Sequence, residues 1–520
     1  MSRILDATAV VLMRENGEIF WVRRSPKLSF MGGFYAFPGG RVDREDADPS
    51  LIETIEKTHR PNERYDLRFV TCALRELFEE TGVLPCRERV ESERLRSARR
   101  ALLEKRQTFS EIVRSLGVTL DAGGFRYLGY RTTPPFSPKR FHAHFFLLFL
   151  PPGQEAEVWP GELVEGAWIT PRAAIERWER GEILVAPPTL SAIEKLDRYP
   201  GTRGIEEHFQ KEDLPVPRIE LRPGIHMLPL RTPTLPPATT TNCFVIGDRE
   251  LVVIDPGSPW PEEQRKLDAM LDHFANEGRF VREILLTHFH ADHVGGANHL
   301  RRRLGVPVTA HPLTIERLEG EVTVDRELPG LQTNVIDLGR DPVTGRAWRL
   351  RAIHTPGHAK GHLVFLDERF GTLLAGDMLA GVGTVVIDPP EGNMAEYLDS
   401  LRRLQQLSLD LIFPAHGPML ADPRGRLQEY LDHRQMREDR IVARLREGPA
   451  GMEDLLRAVY TDVSEALFPL AERSLTAHLE KLLEEGRISK ENHRFALRPA
   501  HPGPAAVASR RRTTPVSDAD

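Results

Sequence analysis

Short apolar runs alternate with amphipathic helical patterns through most of the chain, which is typical of α/β folds. In the first 200 residues this pattern predicts strands at 9–13, 19–22 and 145–150 and one helix over 97–116, rich in Arg and Glu. The apolar run at 145–150 is far shorter than the ~20 residues of a membrane-spanning helix, so it indicates a buried strand. From about residue 215 to 420 strands and helices alternate again, which indicates a second α/β unit.

The last part of the chain has a different pattern. Apolar stripes predict helices over 427–445, 452–463 and 474–485, and Gly486 ends the third. Segments 487–489 and 494–497 flank Glu491-Asn492-His493 and predict a hairpin. Helices followed by a small hairpin are typical of a winged helix. The Pro-, Ala- and Ser-rich segment from residue 500 indicates a disordered tail.

Proline-rich stretches at 214–217 and 229–237 indicate a boundary near residue 215. A length of 520 residues also favours several domains. We therefore expect a multidomain protein of the α/β and α+β classes. The predicted units are a first domain at 1–205, a linker at 206–221, a second domain at 222–421, a winged helix at 422–499 and a tail at 500–520.

Composition narrows the class of protein. The chain has 70 Lys and Arg against 76 Asp and Glu, and its net charge of −6 is too small to steer the whole molecule onto nucleic acid or an anionic membrane. Three cysteines exclude a disulfide framework and a cysteine-based zinc module. The first residues lack a signal-peptide pattern. We expect a cytoplasmic protein that does not enter a membrane.

A group of carboxylates lies on one predicted helix of the first domain. Glu76, Glu79 and Glu80 are spaced three and four residues apart, so they share one helix face. Like charges this close are unfavourable unless a cation neutralises them, and Mg²⁺ prefers oxygen ligands. Arg75 can reach Glu79 one turn on, and Gly82 ends the helix. A solvated acidic face is the alternative interpretation, which the preceding Gly39-Gly40 turn makes less favourable.

These residues resemble the Nudix box, whose helix binds divalent metal and hydrolyses nucleoside diphosphates linked to another group. The order from Arg75 to Val83 matches the motif fully. The earlier half departs from it: Asp46 stands at the acidic position after Gly40, and 28 residues separate Asp46 from Arg75, many more than in the motif. The segments 30–40 and 186–189 resemble the branch that includes peroxisomal coenzyme A diphosphatases.

The Nudix resemblance covers residues 5–195 and implies an α/β/α sandwich with Mg²⁺ or Mn²⁺ bound by Glu76, Glu79 and Glu80. It further implies Glu79 as a catalytic residue. Gly39, Gly40 and Arg75 would form the phosphate-binding turn and its support. Activity on a coenzyme A-like substrate is what the likeness to that branch implies.

Histidines and aspartates of the second domain lie where apolar strands end. The sequence from Thr287 to Gly296 contains His-x-His-x-Asp-His and directly follows a strand. Asp255, His358, Asp377 and His416 follow other apolar runs. In α/β folds the carboxyl ends of strands are where sites are assembled from separate segments. We therefore expect these side chains to meet.

Imidazole and carboxylate without thiolate suit Zn²⁺, Mn²⁺ or Fe. Two such metals ~4 Å apart can bridge a hydroxide and lower its proton affinity, which makes a nucleophile at neutral pH. A lone histidine is more often an ordinary packing residue, but four metal-ligating residues in one short motif are not. The sequence therefore predicts a two-metal hydrolytic site.

This set resembles the metallo-β-lactamase superfamily across residues 222–420, which implies an αββα sandwich. The resemblance implies His288, His290 and His358 on one metal, Asp292, His293 and His416 on the other, and Asp377 between them. Asp292 would also be catalytic, and Asp255 would orient a ligand. Segments 241–247 and 430–434 further resemble the β-lactamase-like protein 2 branch, which carries a winged helix and includes an endoribonuclease. Among the remaining histidines, His362 is the one to test as an outer proton donor.

We therefore predict a bifunctional metal-dependent hydrolase. One site would cleave a pyrophosphate linkage and the other a thioester or phosphodiester, and a coenzyme A thioester would suit both. The alternative is a ribonuclease with a nucleotide-sensing, non-catalytic Nudix domain, and RNA or a second copy of the chain are further candidate partners. The predicted helix at 474–485 carries Glu480, Glu484 and Glu485 and lacks the basic stripe of a DNA reader, so covering the active-site mouth is another role for it.

Overall fold

The computed structural model of the chain describes residues 4–28, 31–59, 64–134, 137, 139–199, 204–210, 219–331 and 334–498. Its first domain is a sheet of six strands in the order β3-β2-β1-β5-β4, with β6 paired to β2. The strands are β1 Ile4–Met13, β2 Ile19–Arg24, β3 Tyr35–Ala36, β4 Arg126–Thr132, β5 Arg140–Phe149 and β6 Leu163–Ile169. β1 and β5 run parallel along their whole length. This is the predicted α/β architecture.

Helices cover both faces of this sheet because its central strands carry buried apolar residues on both sides. The helices are α1 Pro49–Glu56, α2 Leu67–Thr81, α3 Ser92–Leu103, α4 Phe109–Leu116, α5 Pro171–Glu179, α6 Pro187–Arg198 and α7 Ile205–Gln210, with a short 3-10 turn at Arg44–Ala47. α2, α3 and α4 pack into the core on one face, and α5, α6 and α7 pack into the core on the other. The carboxylates of α2 therefore sit on a helix anchored along its apolar side.

The prediction of one helix over 97–116 is wrong, because the chain turns between α3 and α4. Thr108 begins α4: its hydroxyl accepts from the backbone N–H of Glu111, and the Glu111 carboxylate accepts from the backbone N–H of Thr108. This reciprocal capping box is a start signal that the Arg- and Glu-rich composition obscured.

Two sheets packed face to face form the second domain. The first has the strand order β13-β12-β11-β10-β9-β8-β7 and the second β14-β15-β16-β17-β18. The strands are β7 Ile219–Arg222, β8 Ile225–Arg231, β9 Thr240–Gly247, β10 Glu250–Ile254, β11 Phe280–Leu285, β12 Val308–Ala310, β13 Arg326–Glu327, β14 Val335–Arg340, β15 Ala347–His354, β16 Leu363–Asp367, β17 Thr372–Gly376 and β18 Leu411–Pro414. One apolar core joins the two sheets.

Helices cover the outer face of each sheet in this domain. They are α8 Pro261–Asn276, α9 Ala291–Val294, α10 Ala297–Leu304, α11 Pro312–Leu318 and α12 Met394–Gln405. A separate apolar cluster lies under the helices of each side, α8 and α10 on one and α12 on the other. The domain is therefore the four-layer αββα sandwich that the sequence predicts.

The third unit consists of α13 Pro423–Arg446, α14 Met452–Val459, α15 Phe468–Glu484 and the hairpin of β19 Ile488–Glu491 and β20 Arg494–Leu497, with a short 3-10 turn at Glu465–Leu467. Asn492 and His493 form the hairpin turn with φ of 48° and 62°, as a two-residue turn of this type requires. The unit has its own apolar core. Its α15 also reaches the second domain, because Ala477 is buried in the cluster beneath α12.

The ends of the predicted linker belong to ordered elements. α7 packs on the first domain through the buried side chains of Ile205 and Phe209, and β7 joins the first sheet of the second domain. The predicted tail at 500–520 lies outside the described residues. Within the described part of the chain, no helix combines the length and the apolar composition needed to cross a membrane.

Candidate metal centres

The histidine-rich loop of the second domain begins where the buried strand β11 ends. His288 follows shortly after the strand, and His290 is the N-cap of the short helix α9. The loop packs tightly on a neighbouring segment, because a Cβ on Gly296 would lie 2.4 Å from the Pro256 carbonyl oxygen. His358, Asp377 and His416 each come from a segment just after β15, β17 or β18. Strand ends therefore bring the predicted side chains together.

The first set of ligand atoms comes from His288, His290, His358 and Asp377. The Nε2 atoms of His288 and His358 lie 2.9 and 3.0 Å from Nδ1 of His290. Asp377 Oδ2 lies 3.4 Å from His358 Nε2. One ligand atom from each of the four residues lies within 4.8 Å of all the others. This is the spacing of donors around a single cation.

The second set comes from Asp292, His293 and His416, whose ligand atoms also lie within 4.8 Å of one another. Asp292 Oδ2 is 3.8 Å from His293 Nε2 and 3.4 Å from His416 Nε2. Asp377 Oδ1 is 3.5 and 3.3 Å from the same two nitrogens. The two oxygens of Asp377 therefore face one set each, so this carboxylate stands between them.

Hydrogen bonds orient the histidine rings of both sets. His358 Nδ1 donates to the Val386 carbonyl oxygen and His416 Nδ1 to that of Thr240, both at 2.9 Å. His293 Nδ1 lies 2.8 Å from Asp255 Oδ2, and His288 Nδ1 lies 2.9 Å from Thr287 Oγ1. Because the proton is held at Nδ1, the Nε2 lone pair of each of these rings points into the site.

Asp255 supports the histidine loop without facing either set directly. Its carboxylate accepts from the backbone N–H and the hydroxyl of Thr287, at 2.8 and 2.6 Å, as well as from His293. Its backbone has a φ of 51°, which few residues other than glycine adopt and which Asp tolerates better than most. The sequence did not reveal Thr287, whose hydroxyl links Asp255 to His288.

The donors fit divalent cations. His293 Nε2 and Asp377 Oδ1 are buried and have no hydrogen-bond partner among the described residues. Unpartnered buried polar atoms are costly, and several converging on one point are what a metal ion would satisfy. Imidazole and carboxylate without thiolate suit Zn²⁺, Mn²⁺ or Fe.

Electrostatics divides the histidines into two groups. Burial, and then the neighbouring imidazoles, lower the pKa of His288 and that of His290, the latter to about 3. Those rings are neutral at pH 7, as a metal ligand must be. Burial also acts to lower the pKa of His293, but Asp292, Asp377 and Asp255 together raise it. The second set therefore has a negative field that favours a cation.

His362 lies beside the ligands, and its ring accepts a hydrogen bond where the sequence suggests a proton donor. Its Nε2 accepts from the backbone N–H of Asp377 at 3.0 Å, and its Nδ1 lies 3.0 Å from Thr355 Oγ1. The ring is fully buried and holds the backbone of Asp377 in place. His311 and His354 stack on each other, with ring centroids 4.2 Å apart, so they belong to the packing.

The carboxylates of the first domain lie on α2, as predicted. Asp66 caps the start of this helix, and Gly82 ends it with a φ of 76°. Glu80 Oε2 accepts from the backbone N–H of Gly39 at 2.8 Å, and a Cβ on Gly40 would lie 2.3 Å from Glu76 Oε1. The Gly39-Gly40 turn therefore packs directly against the carboxylate helix.

Asp46 forms an ion pair with Arg75. Its two oxygens accept from Arg75 Nε and Nη2 at 2.7 and 2.9 Å, and the residue is fully buried. Arg75 also reaches Glu76 at 2.8 Å and Glu79 at 3.4 Å. The long insertion after Asp46 contains α1, and α2 follows it. The fold therefore still places Asp46 against Arg75, the arginine of the motif.

Burial is the main cause of the raised pKa values of Glu76, Glu79 and Glu80, and for Glu76 the value is about 7. These three residues line part of an open cleft of about 3030 Å³, whose wall also includes Met227 and Pro418 of the second domain. Neither of the compact donor sets described above includes them. Buried, partly neutralised carboxylates beside a cleft are what a divalent cation with substrate phosphates would complete.

The chain matches three family models. Residues 63–196 match the NUDT19 Nudix domain, residues 236–416 the metallo-beta-lactamase superfamily, and residues 452–494 the beta-lactamase associated winged helix domain. The folds and these matches define a hydrolase that joins two domains of metal-dependent hydrolase families.

Comparison with individual proteins narrows this class. The chain is 31% identical over 260 residues to the beta-lactamase-like protein 2 homolog of Drosophila melanogaster, covering 48% of this chain and 84% of that protein. It is 27% identical over 247 residues to an atrochrysone carboxyl ACP thioesterase of Aspergillus fumigatus, covering 44% and 72%. A crystal structure of a metallo-beta-lactamase family protein from Thermus thermophilus is similar at 27% identity and a TM-score of 0.44, covering 54% and 100%. The chain belongs to the metallo-beta-lactamase superfamily, in the branch of beta-lactamase-like protein 2, and carries a Nudix domain.

Proposed function

We propose that the second domain hydrolyses thioesters and that the first hydrolyses a phosphoanhydride, so that one chain acts on two bonds of the same substrate class. The observation that carries the proposal is the pair of donor sets joined by Asp377, whose ligand atoms lie within 4.8 Å of one another in each set. Such an arrangement suits two cations that act on one substrate.

The residues of the second domain would divide the work as follows. One divalent cation would be held by His288, His290, His358 and Asp377, and the other by Asp292, His293, His416 and Asp377. Cations bound there lower the pKa of a bound water and supply a nucleophile at neutral pH. The ring nitrogens would contribute lone pairs to the cations, and the Asp292 carboxylate would accept a proton from the attacking water. Water and a thioester give a carboxylic acid and a thiol.

In the first domain Glu76, Glu79 and Glu80 would hold Mg²⁺ or Mn²⁺, which neutralises the charge of a diphosphate. The side chain of Glu79 is 25% exposed against 13% for Glu76, so water reaches it more easily, and it accepts a proton from the attacking water. The Gly39-Gly40 turn lets the carboxylate helix approach closely and so holds Glu76 and Glu80 beside the phosphates. Arg75, fixed by Asp46, holds Glu76 and Glu79 in place.

A coenzyme A thioester contains both a thioester and a pyrophosphate, so it suits both domains. The matches support this choice in two ways. One similar protein is named as an acyl carrier protein thioesterase, which suits the thioester, and a Nudix domain suits the phosphoanhydride. The cleft of about 3030 Å³ beside α2 can accommodate a ligand of that size.

The test is a metal analysis of the purified chain combined with thioester, phosphodiester and phosphoanhydride assays. We expect two zinc-like ions per chain, thioester turnover that is lost in His288→Ala, and phosphoanhydride turnover that is lost in Glu79→Gln. His299→Ala is the matched control, because His299 bonds to Asp268 away from the metal sets. A chain fully loaded with metal that turned over neither substrate would overturn the proposal.

Ribonuclease activity is the alternative outcome of the same assay. The winged helix gives it little support, because a cation of its α15 is already paired: Lys481 bonds to Glu438 and Glu485 at 2.7 and 2.8 Å. Cleavage of single-stranded RNA that is lost in His288→Ala, without thioester turnover, would establish the nuclease instead.

A further inference from the structure

Residues 384–388, which we call the support segment, lie between the winged helix and the metal ligands. The Val386 carbonyl oxygen accepts a hydrogen bond from His358 Nδ1 at 2.9 Å. This bond fixes both the tautomer and the orientation of the ring whose Nε2 faces the first donor set. The position of His358 therefore depends on where the support segment lies.

The winged helix holds the support segment on both sides of Val386. Arg434, on α13, donates from Nη2 to the Val385 carbonyl oxygen at 2.6 Å. On the other side, the backbone N–H of Ile387 donates to Ser474 Oγ, on α15, at 3.4 Å. These two contacts flank the one carbonyl that orients His358.

Two further contacts strengthen this attachment. Arg434 Nη2 also lies 3.5 Å from Thr384 Oγ1, and Arg473 on α15 pairs with Asp388 at 3.0 Å. Arg434 is only 2% exposed, and its guanidinium lies 5.4 Å from the centre of the Tyr397 ring. Burying an arginine is costly unless its donors are hydrogen-bonded, and the Val385 carbonyl supplies one of these bonds, so the arginine and the support segment hold each other in place.

We propose that Arg434 and Ser474 are positioning residues for the metal centre, so that the winged helix acts as a brace on His358. Arg434 and Ser474 fix the support segment from outside, Val386 passes the constraint to the ring, and the ring presents Nε2 to the cation. The inference rests on the proposed function in one respect, that His358 is a metal ligand.

The brace makes a quantitative prediction about metal binding. Partners that orient a ligating histidine typically contribute about 10–100-fold in metal affinity. Because Arg434 acts on His358 through the support segment, loss of its contact should weaken one of the two bound metals by up to about that factor and leave the other unchanged. A role in folding alone would lower stability without this selective effect.

One variant is Arg434→Met, which removes the donors and keeps most of the apolar volume. The other is Ser474→Ala, which removes only a hydroxyl group and should therefore leave the fold intact. Arg434→Lys is the rescue variant, because an ammonium can still donate to the Val385 carbonyl. Arg437→Met is the matched control, since Arg437 is buried on the same helix but bonds to Val459 and Asp462 within the winged helix. Thr476→Ala is the control for Ser474, because its hydroxyl donates to the Glu472 carbonyl within α15.

Metal affinity is measured by chelator competition on the full chain, and the visible spectrum of the Co²⁺-loaded protein reports the geometry of each site. We expect Arg434→Met and Ser474→Ala to weaken the binding of one metal and to change the Co²⁺ spectrum as His358→Ala does. Arg434→Lys should keep the wild-type affinity and spectrum. Equal metal affinities and equal Co²⁺ spectra in Arg434→Met and Arg437→Met would overturn the proposal that Arg434 positions His358. If the wild-type chain bound fewer than two metals, or His358→Ala bound both normally, the proposed function would fail instead.

Discussion

At the scale of single residues, Asp255 accepts three hydrogen bonds from the histidine loop, two from Thr287 and one from His293. The bonds join the carboxyl end of β10 to the loop after β11. Because the carboxylate holds the proton of His293 at Nδ1, it keeps the Nε2 lone pair directed at the second donor set. Its contribution to metal binding is therefore through orientation.

We expect Asp255→Asn to weaken metal binding by about 10–100-fold while the fold is retained, because Asn also tolerates the φ of 51° but presents one acceptor oxygen instead of two. Chelator competition measures the affinity. Asp268→Asn is the control, since Asp268 lies on α8 and bonds to His299. Equal affinities in the two variants would show that the Asp255 carboxylate does not orient the ligands.

Asp46 shows what spacing along the chain can and cannot reveal. The sequence placed an acidic residue near the expected position, but only the fold shows that it is buried against Arg75. Removing the Asp46 carboxylate takes away two charge-assisted hydrogen bonds from Arg75. Because Glu76 and Glu79 still pair with the guanidinium, the cost is about 1.5–3 kcal/mol. We expect Asp46→Ala to lower the free energy of unfolding of the first domain by that amount, measured by urea denaturation.

Glu53→Ala is the control for this variant, because Glu53 pairs with Lys57 at the surface of α1 and its side chain is 73% exposed. An Asp46→Ala chain of normal stability that had lost Mg²⁺ affinity would contradict the ion-pair role and indicate a metal ligand instead.

At the scale of elements, α13 carries buried charges on successive turns: Arg434 contacts the second domain, and Glu438 bonds within the winged helix. Glu438 is 2% exposed and bonds to Lys481 on α15 at 2.7 Å and to Arg487 at 3.1 Å. The sequence predicted three helices and a hairpin here from apolar stripes. It did not reveal that Arg434 and Glu438 point inward, because charged residues on a long polar helix give the same pattern whether they face solvent or a partner.

The Glu438 cluster predicts how the stability of this unit depends on pH. Burial acts to raise the pKa of Glu438, but His478 and Lys481 outweigh it and lower the pKa from its ordinary 4.5 to about 2. A depressed folded-state pKa means that the stabilisation is complete above the unfolded-state value and is lost as pH falls towards 2. The shift corresponds to roughly 3 kcal/mol.

We expect acid unfolding of the winged helix as pH falls from about 4.5 to 2, followed by circular dichroism. Glu438→Gln should remove the part of this pH dependence that Glu438 contributes, and Asp462, whose pKa Arg437 also lowers, should retain a smaller part. Glu447→Gln is the matched control, because Glu447 ends the same helix and its side chain is 75% exposed. An unchanged acid transition in Glu438→Gln would contradict the assignment.

At the scale of the whole molecule, changes in the apolar pattern predicted the three units, and histidines and carboxylates at strand ends predicted that the donors of the second domain would meet. The family resemblance assigned these donors to two metals. The sequence could not predict the partners that orient them. Two of these partners are backbone carbonyls, those of Thr240 and Val386, and the third is a ring nitrogen of His362. The spacing of residues along the sequence does not reveal them. Such contacts depend on how distant segments fold back, so they appear only in the structure.

The carboxylate helix and the histidine loop pack in different apolar clusters, although Phe34 and Ala186 of the first domain join the core between the two sheets of the second. The separation of the two sites predicts that their activities are lost independently. Mutations that share no partners have additive effects. We expect Glu79→Gln to abolish phosphoanhydride hydrolysis and leave thioester hydrolysis within about twofold, and His288→Ala to do the reverse. The double variant should lack both activities while retaining the circular dichroism spectrum of the wild type. Loss of both activities in either single variant would mean that the two domains work on the substrate as one coupled site, which contradicts independent hydrolysis of its two bonds.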